Sequence, residues 1–238
     1  ENQGLFGYIK EATIENLGMT EVDIRGNTKV GGLVGLAEAS TIQYCYVSGN
    51  VYTFNKGGGL AGRIVSTRII SCYTSGSSQG YSNIGGIVGE VDGNSLTYSL
   101  IQYCYTTATL ITVVNQINGG GIAGNAQYMK IQGYYVTYKV AGANNVGGIV
   151  GKMNTYSTVT EWVMLGSEVS GQSNVRRIVG TMASGNTSLE NNYAFSGMSG
   201  GGNDKKPDGL DGANVGIDQI DSASFWKDTL LLPDTVWT

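Results

Sequence analysis

Apolar residues fall in two short clusters per repeat rather than in long amphipathic runs. The first cluster is framed by glycine: Gly4-Leu5-Phe6-Gly7, Gly32-Leu33-Val34-Gly35, Gly59-Leu60-Ala61-Gly62, Gly86-Ile87-Val88-Gly89, Gly121-Ile122-Ala123-Gly124, Gly148-Ile149-Val150-Gly151 and Arg177-Ile178-Val179-Gly180. Successive final glycines lie 28, 27, 27, 35, 27 and 29 residues apart. A fixed period of this kind marks a repeat architecture. Two residues before the last glycine stand Leu5, Leu33, Leu60, Ile87, Ile122, Ile149 and Ile178. Two residues after it stand Ile9, Ala37, Ile64, Val91, Ala126, Met153 and Met182. The residue directly after it is mostly polar, as at Arg63, Glu90, Asn125, Lys152 and Thr181. This alternation of period two predicts a strand whose apolar columns face inward and whose polar column meets solvent.

The second cluster reads apolar-x-x-Cys-Tyr: Ile42…Cys45-Tyr46, Ile69…Cys72-Tyr73 and Ile101…Cys104-Tyr105. Looser copies are Ile14…Leu17-Gly18, Ile131…Tyr134-Tyr135, Val159…Trp162-Val163 and Leu189…Asn192-Tyr193. The same parity turns Leu17, Cys45, Cys72, Cys104, Tyr134, Trp162 and Asn192 inward. It turns Tyr46, Tyr73, Tyr105, Tyr135 and, beyond Val163, Tyr193 outward as a ladder. The step between the clusters is longest in the fourth copy, so Asp92 to Leu100 is expected to bulge as a loop. A third segment rich in Val, Ser, Thr and Gly follows, often ending in Asn-Val or Asn-Ile (Asn83-Ile84, Asn145-Val146, Asn174-Val175).

Three strand-like segments per repeat predict an all-β parallel β-solenoid. The expected form is a three-sided β-helix of about seven coils of ~27 residues. It is expected to be right-handed, as parallel crossovers nearly always are. A two-sided β-roll is the alternative. Helical repeats are disfavoured because each repeat carries several glycines, each costing ~1 kcal/mol in a helix. Residues 1–200 are expected to form the solenoid. Residues 201–238 are expected to form a loop, a partial coil beginning at Asn214-Val215-Gly216-Ile217, and a C-terminal cap. In that cap Asp221 or Ser222 would N-cap a short helix through about Leu230, with Phe225, Trp226 and Leu230 covering the last coil.

Composition narrows the chemistry. The chain has 38 glycines in 238 residues, more than twice the usual ~7%. Charged residues make up 13%, about half the usual share. There is no histidine, which removes His-dependent nucleophile pairs and His-based zinc sites. The net charge of −4 argues against a nucleic-acid surface. No run of about 18 apolar residues is present, so no membrane-spanning helix and no membrane insertion by this chain are expected.

The glycine motifs resemble the GLUG repeat, named for its Gly-Leu-hydrophobic-Gly core. That repeat occurs in large bacterial surface proteins, including IgA-specific metallo-endopeptidases of streptococci and secreted proteins of gut Bacteroidetes. The resemblance covers about residues 4 to 200, and the Ile220–Trp226 tail with Val236-Trp237 looks like the segment that often closes such arrays. It implies a secreted or cell-surface bacterial protein. It implies no enzyme, because the peptidase activity of such proteins belongs to a separate zinc domain. Glu1-Asn2-Gln3 runs straight into the first motif, so a secretion signal and earlier coils are expected upstream. One departure is Arg176-Arg177, which stand where the other copies have Gly-Gly. If those glycines require positive φ, this corner must be rebuilt, as at the end of an array.

Candidate sites have plainer readings beside them. The tyrosine ladder (Tyr46, Tyr73, Tyr105, Tyr135, Tyr193) is the leading binding surface, for a glycan or a host surface protein. Its plainer reading is cross-strand stabilisation of the sheet. The three cysteines are expected to be small inward hydrophobes rather than soft-metal ligands. Glu38, Glu90 and Asp92 share one face with Arg63 and would be the acid–base set of a glycan-active enzyme. Solvated charge is their plainer reading. Asp204, Asp208 and Asp211 fit loop chemistry better than a calcium loop. The expected function is therefore a non-enzymatic, monomeric surface module without cofactor or metal, serving in adhesion or as a spacer. The alternatives are a lyase or glycosidase, a purely structural stalk, or the non-catalytic region of an IgA-protease-like protein.

Overall fold

The computed structural model describes residues 1–230, apart from the side chains of residues 111–116 and Tyr134. Val236 and Trp237 lie outside the described residues. The seven glycine clusters form the strands Phe6–Lys10, Val34–Glu38, Ala61–Val65, Val88–Asp92, Ala123–Ala126, Val150–Met153 and Val179–Met182. These stack in chain order as one parallel sheet. The pairing runs Leu36, Arg63, Glu90, Asn125, Lys152, Thr181, which is the expected polar column. The second clusters stack with Ile14, Ile42, Ile69, Ile101, Ile131, Val159 and Leu189 in register. The third segments add long parallel strands such as Tyr46–Gly58 and Tyr73–Gly85. The chain is thus an all-β, parallel solenoid of about seven turns.

Three columns of residues sit in the left-handed region, one per corner. They are Glu11, Ala39, Ser66, Tyr128, Tyr156 and Asn186; then Asn16, Tyr44, Ser71, Tyr103, Gly133, Glu161 and Asn191; then Lys29, Lys56, Asn83, Asn118, Asn145 and Asn174. Three corners give a three-sided coil. The last column explains the recurring asparagine, which tolerates this conformation better than most residues. Its amides also bond from coil to coil, Asn118 to Asn83 (2.7 Å), Asn145 to Asn118 (2.9 Å) and Asn174 to Asn145 (2.8 Å).

The motif glycines are required for a different reason from the one expected. None of the Gly-Gly pairs has positive φ. A Cβ at Gly121 would instead overlap the carbonyl oxygen of Gly148 in the next coil, and one at Gly86 that of Gly121. Close stacking of backbone, not backbone twist, excludes a side chain. Arg177 is admitted because a full coil does not follow it. Its guanidinium turns into the end of the rod and is 1% exposed. There it donates to the carbonyls of Asp211 (2.9 Å) and Gly212 (2.7 Å) and to Asn214 Oδ1 (2.8 Å). Asp211, fully buried, accepts from the Arg177 and Gly202 backbone amides.

The loop after the seventh coil holds an eighth, incomplete copy that begins earlier than expected. In Gly209-Leu210-Asp211-Gly212, the Leu210 carbonyl accepts from Ile178 N (3.0 Å) and Val179 N (3.1 Å). One coil earlier the Ile178 carbonyl accepts the same pair of bonds from Ile149 N and Val150 N. Ala213–Val215 then pairs with Tyr193–Phe195. The terminal helix lies where it is expected, over residues 223–229 with Leu230 as C-cap, and a separate turn precedes it. Ile217–Ile220 form one helical turn with Gly216 as N-cap and Asp221 as C-cap, and Phe225–Thr229 form a single π turn.

The core is a continuous stack of Leu, Ile, Val, Cys and Met with Trp162 at 0% exposure. Among the described residues, the inward columns fail only at the ends. Leu5 is 53% and Met182 40% exposed, each in a coil stacked on one side only at that column. Asp92 and Ser99 flank the expected loop, where Asn94 Oδ1 accepts from the Leu96 and Thr97 amides. No helix of the described residues is long and apolar enough to cross a membrane.

Candidate functional site: aromatic faces of the solenoid

The tyrosine ladder is present in register. Tyr46 and Tyr73 stack at 5.0 Å and 7°, Tyr73 and Tyr105 at 4.9 Å and 6°, and Tyr105 and Tyr135 at 5.2 Å and 27°. Those distances are the spacing of neighbouring strands, so each ring covers the face of the next. The open face of Tyr46 lies on Gly18, where a Cβ would collide with its ring. At the other end Trp226 meets Tyr135 edge-on at 6.4 Å, and Phe225 meets Tyr193 at 5.2 Å. Val163, in register between Tyr135 and Tyr193, is fully buried although its parity points outward. The cap thus reaches past the seventh coil to the fifth and lies on the one non-aromatic step of the ladder. All five tyrosines are half-buried. The faces of Tyr46, Tyr73, Tyr105 and Tyr135 are spent on one another, and Tyr193 meets Phe225 instead. Burial, with Tyr135 and Tyr73 alongside, raises the Tyr105 hydroxyl above its ordinary pKa, and burial raises that of Tyr135.

The carboxylates of the glycine sheet are placed as expected. Glu38 and Asp92 both pair in register with Val65, two coils apart. Arg63 joins Glu90 (3.1 Å) to Asp92 (2.9 Å), and Lys56 adds a second contact to Glu90 (2.9 Å). Asn83 donates to Glu90 and Tyr8 donates to Glu38. Glu90 and Asp92 are thus ion-paired, while Glu38 has the Tyr8 hydroxyl as its partner. Near the rod's end, Asp204 and Asp211 accept backbone amides of Leu210, Gly202 and Asp204 itself.

Cys45, Cys72 and Cys104 are buried, free and aligned. Each thiol donates to the carbonyl two residues earlier, at 3.2, 3.3 and 3.3 Å. Burial pushes the Cys104 thiol up to about 12. Cys72 is also raised, by its hydrogen bond with Cys45 and then by burial. These are inward hydrophobes whose sulfurs also approach a carbonyl of the preceding coil, at 3.6 to 3.8 Å. In the last coil Asn192 takes the same place, accepting from Trp162 N and donating to the Val159 carbonyl.

A second aromatic group on the third face has its rings in solvent. Arg25, Tyr52 and Gln79 share one column, and the neighbouring column carries Phe54 beside Tyr81. Phe54 is 60% and Tyr81 47% exposed, and their rings lie 5.0 Å apart with a 33° tilt. The Arg25 guanidinium stands 4.5 Å over the Tyr52 ring. These side chains line an open cleft of about 250 Å³. Its sequence signal is aromatic residues at Tyr52, Phe54 and Tyr81 in segments otherwise rich in Ser, Thr, Gly and Asn. Without the corner at Lys56, nothing in the spacing shows that Tyr52 and Phe54 flank one cleft.

No curated protein and no solved structure matches this chain. The family model of the GLUG motif matches residues 26–52, the stretch from the third face of the first coil through the second glycine cluster and tyrosine. The register repeats the same unit up the rod, and the chain is therefore a GLUG-repeat protein whose motifs stack as a β-solenoid.

Proposed function

We propose that this chain is a non-catalytic repeat module: a stiff rod that works by presenting a binding surface, outside the cell. The observation that carries the reading is the contrast between its faces. The acidic residues that catalysis would need are tied up, Glu90 and Asp92 by a single guanidinium. Aromatic surface is instead left in contact with solvent on the third face. Solenoids offer such extended surfaces because each coil repeats the geometry of its neighbour. The extracellular, bacterial setting rests on the resemblance of the motifs to GLUG-containing surface proteins. A glycan or a surface protein is the partner class, and the rod acts as a monomer.

The test is a binding screen of the purified chain against glycans and extracellular-matrix proteins, with reducing-sugar release measured on the same glycans. Saturable binding without product release supports the module. Sugar release that disappears in Glu38→Gln overturns it in favour of a glycan-active enzyme. A folded chain that binds nothing overturns the binding role and leaves a spacer.

A further inference from the structure

We propose that the cleft formed by Arg25, Tyr52, Phe54, Gln79 and Tyr81 is a binding site for a neutral pyranose glycan lying along the rod. The proposal rests on the binding-module reading and gives it a site and a ligand class. Phe54 and Tyr81 hold no core position, and the first coil has the polar Asn27 ahead of them in the same column. Their exposed rings carry the cost of wetted aromatic surface without stabilising the interior, which is the usual mark of a recognition surface. The two rings form a shallow platform one coil spacing long, about the length of one sugar in an extended chain.

The polar side of the cleft selects the ligand. Arg25 is held over Tyr52 and lies 3.6 Å from Asp23, so the local charges cancel. A net-neutral cleft gives a carboxylated or sulfated ligand no charge advantage. A guanidinium fork and the Gln79 amide donate to hydroxyls, while the Gln79 oxygen accepts from them. Gln79 itself leans on Ser77 at 3.4 Å, and Ser77 on Asn50 at 2.7 Å, which steadies the amide. The backbone here is paired to coils on both sides from Tyr46–Gly58 to its neighbours, so an extended peptide has no free edge to join. What remains is side-chain recognition of a ligand with apolar C–H faces and hydroxyl edges.

The experiment is calorimetric titration of the full chain with neutral β-1,4-linked gluco- and manno-oligosaccharides, an oligogalacturonate and a polyproline peptide. The same titrations are run on Phe54→Ala/Tyr81→Ala, on Arg25→Ala and on Tyr73→Ala/Tyr105→Ala. Neutral oligosaccharide binding is expected, little changed between low and high salt. It should weaken at least tenfold in the cleft variants and persist in the ladder variant, with melting temperatures of the cleft variants unchanged. Binding lost only in the ladder variant would overturn the cleft and leave the module reading standing. Binding of only the oligogalacturonate or only the peptide would overturn the ligand class. No binding of any probe by the folded chain would overturn the cleft, while a hit in the wider screen would still preserve the module.

Discussion

Gly121→Ala isolates the force that sets the repeat. A Cβ there would overlap the carbonyl oxygen of Gly148, which is backbone and has no side chain to swing away. Ordinary carbon–oxygen contacts begin near ~3.3 Å, so the neighbouring coil must retreat by roughly 1 Å. The short bonds that cross that junction are Gly121 N to Gly148 O at 3.1 Å, Ile122 N to Ile149 O at 2.9 Å and Ala123 N to Ile149 O at 3.1 Å, with Gly121 N shared more weakly with Gly147 O at 3.4 Å. After such a shift they lie near 4 Å, outside hydrogen-bond range. At about 1 kcal/mol each, the loss is ~3 kcal/mol. Gly148→Ala meets the Arg177 carbonyl and should cost a similar amount. Gly185→Ala is the control, with φ at +95° but nothing within 4 Å of its Cβ. It should lose only ~1 kcal/mol to backbone strain. Urea denaturation followed by circular dichroism measures all three. A Gly121→Ala loss no larger than that of Gly185→Ala would refute close stacking as the reason for the motif.

Four further outcomes follow from particular residues. Trp162→Ala should destabilise by ~3–5 kcal/mol, since the ring is wholly buried, and an unchanged urea midpoint would mean the register is wrong. Ala39→Gly should stabilise by about 0.5–1 kcal/mol, because Ala39 stands exposed at φ +47°, where a Cβ is strained; thermal melting reads the sign. Tyr105 and Tyr135 hold their protons more tightly folded than unfolded, so stability is intact below the ordinary tyrosine pKa of ~10 and falls as pH rises through their raised values. Ultraviolet titration of tyrosinate should show late-titrating groups, lost in Tyr105→Phe/Tyr135→Phe. Finally, Cys72 and Cys104, buried and with raised thiol pKa values, should resist a thiol reagent at pH 8 in the folded chain and react in urea; prompt labelling of either without denaturant would contradict its burial.

Much of the fold was legible because a solenoid makes sequence period into spatial register. Leu36, Arg63 and Glu90 share an offset from their glycines and pair directly in the sheet. The cysteine column and Tyr46–Tyr73–Tyr105 were legible for the same reason. The eighth motif, Gly209-Leu210-Asp211-Gly212, was harder to see, because Asp stands at its apolar position and 32 residues separate it from Gly180. Its role shows only through the two amides that Leu210 accepts. A short helix ending near Leu230 was legible; its π form and its seat against the rings of Tyr193 and Tyr135 were not.

The sequence by itself determined the number of coils, the parity of each strand and the family of the motif, because period and alternation are properties of the chain alone. Tertiary structure decided how the outward residues are used. Parity sends both the tyrosine ladder and the Tyr52–Phe54–Tyr81 group to the surface. Straight stacking along one sheet spends the faces of Tyr46, Tyr73, Tyr105 and Tyr135 on each other, while on the third face Arg25, Tyr52, Phe54, Gln79 and Tyr81 stand around an open cleft. The same holds for Arg177: its sequence shows only a break in the glycine pattern, and the absence of a full coil above it turns that break into a buried cap on Asp211.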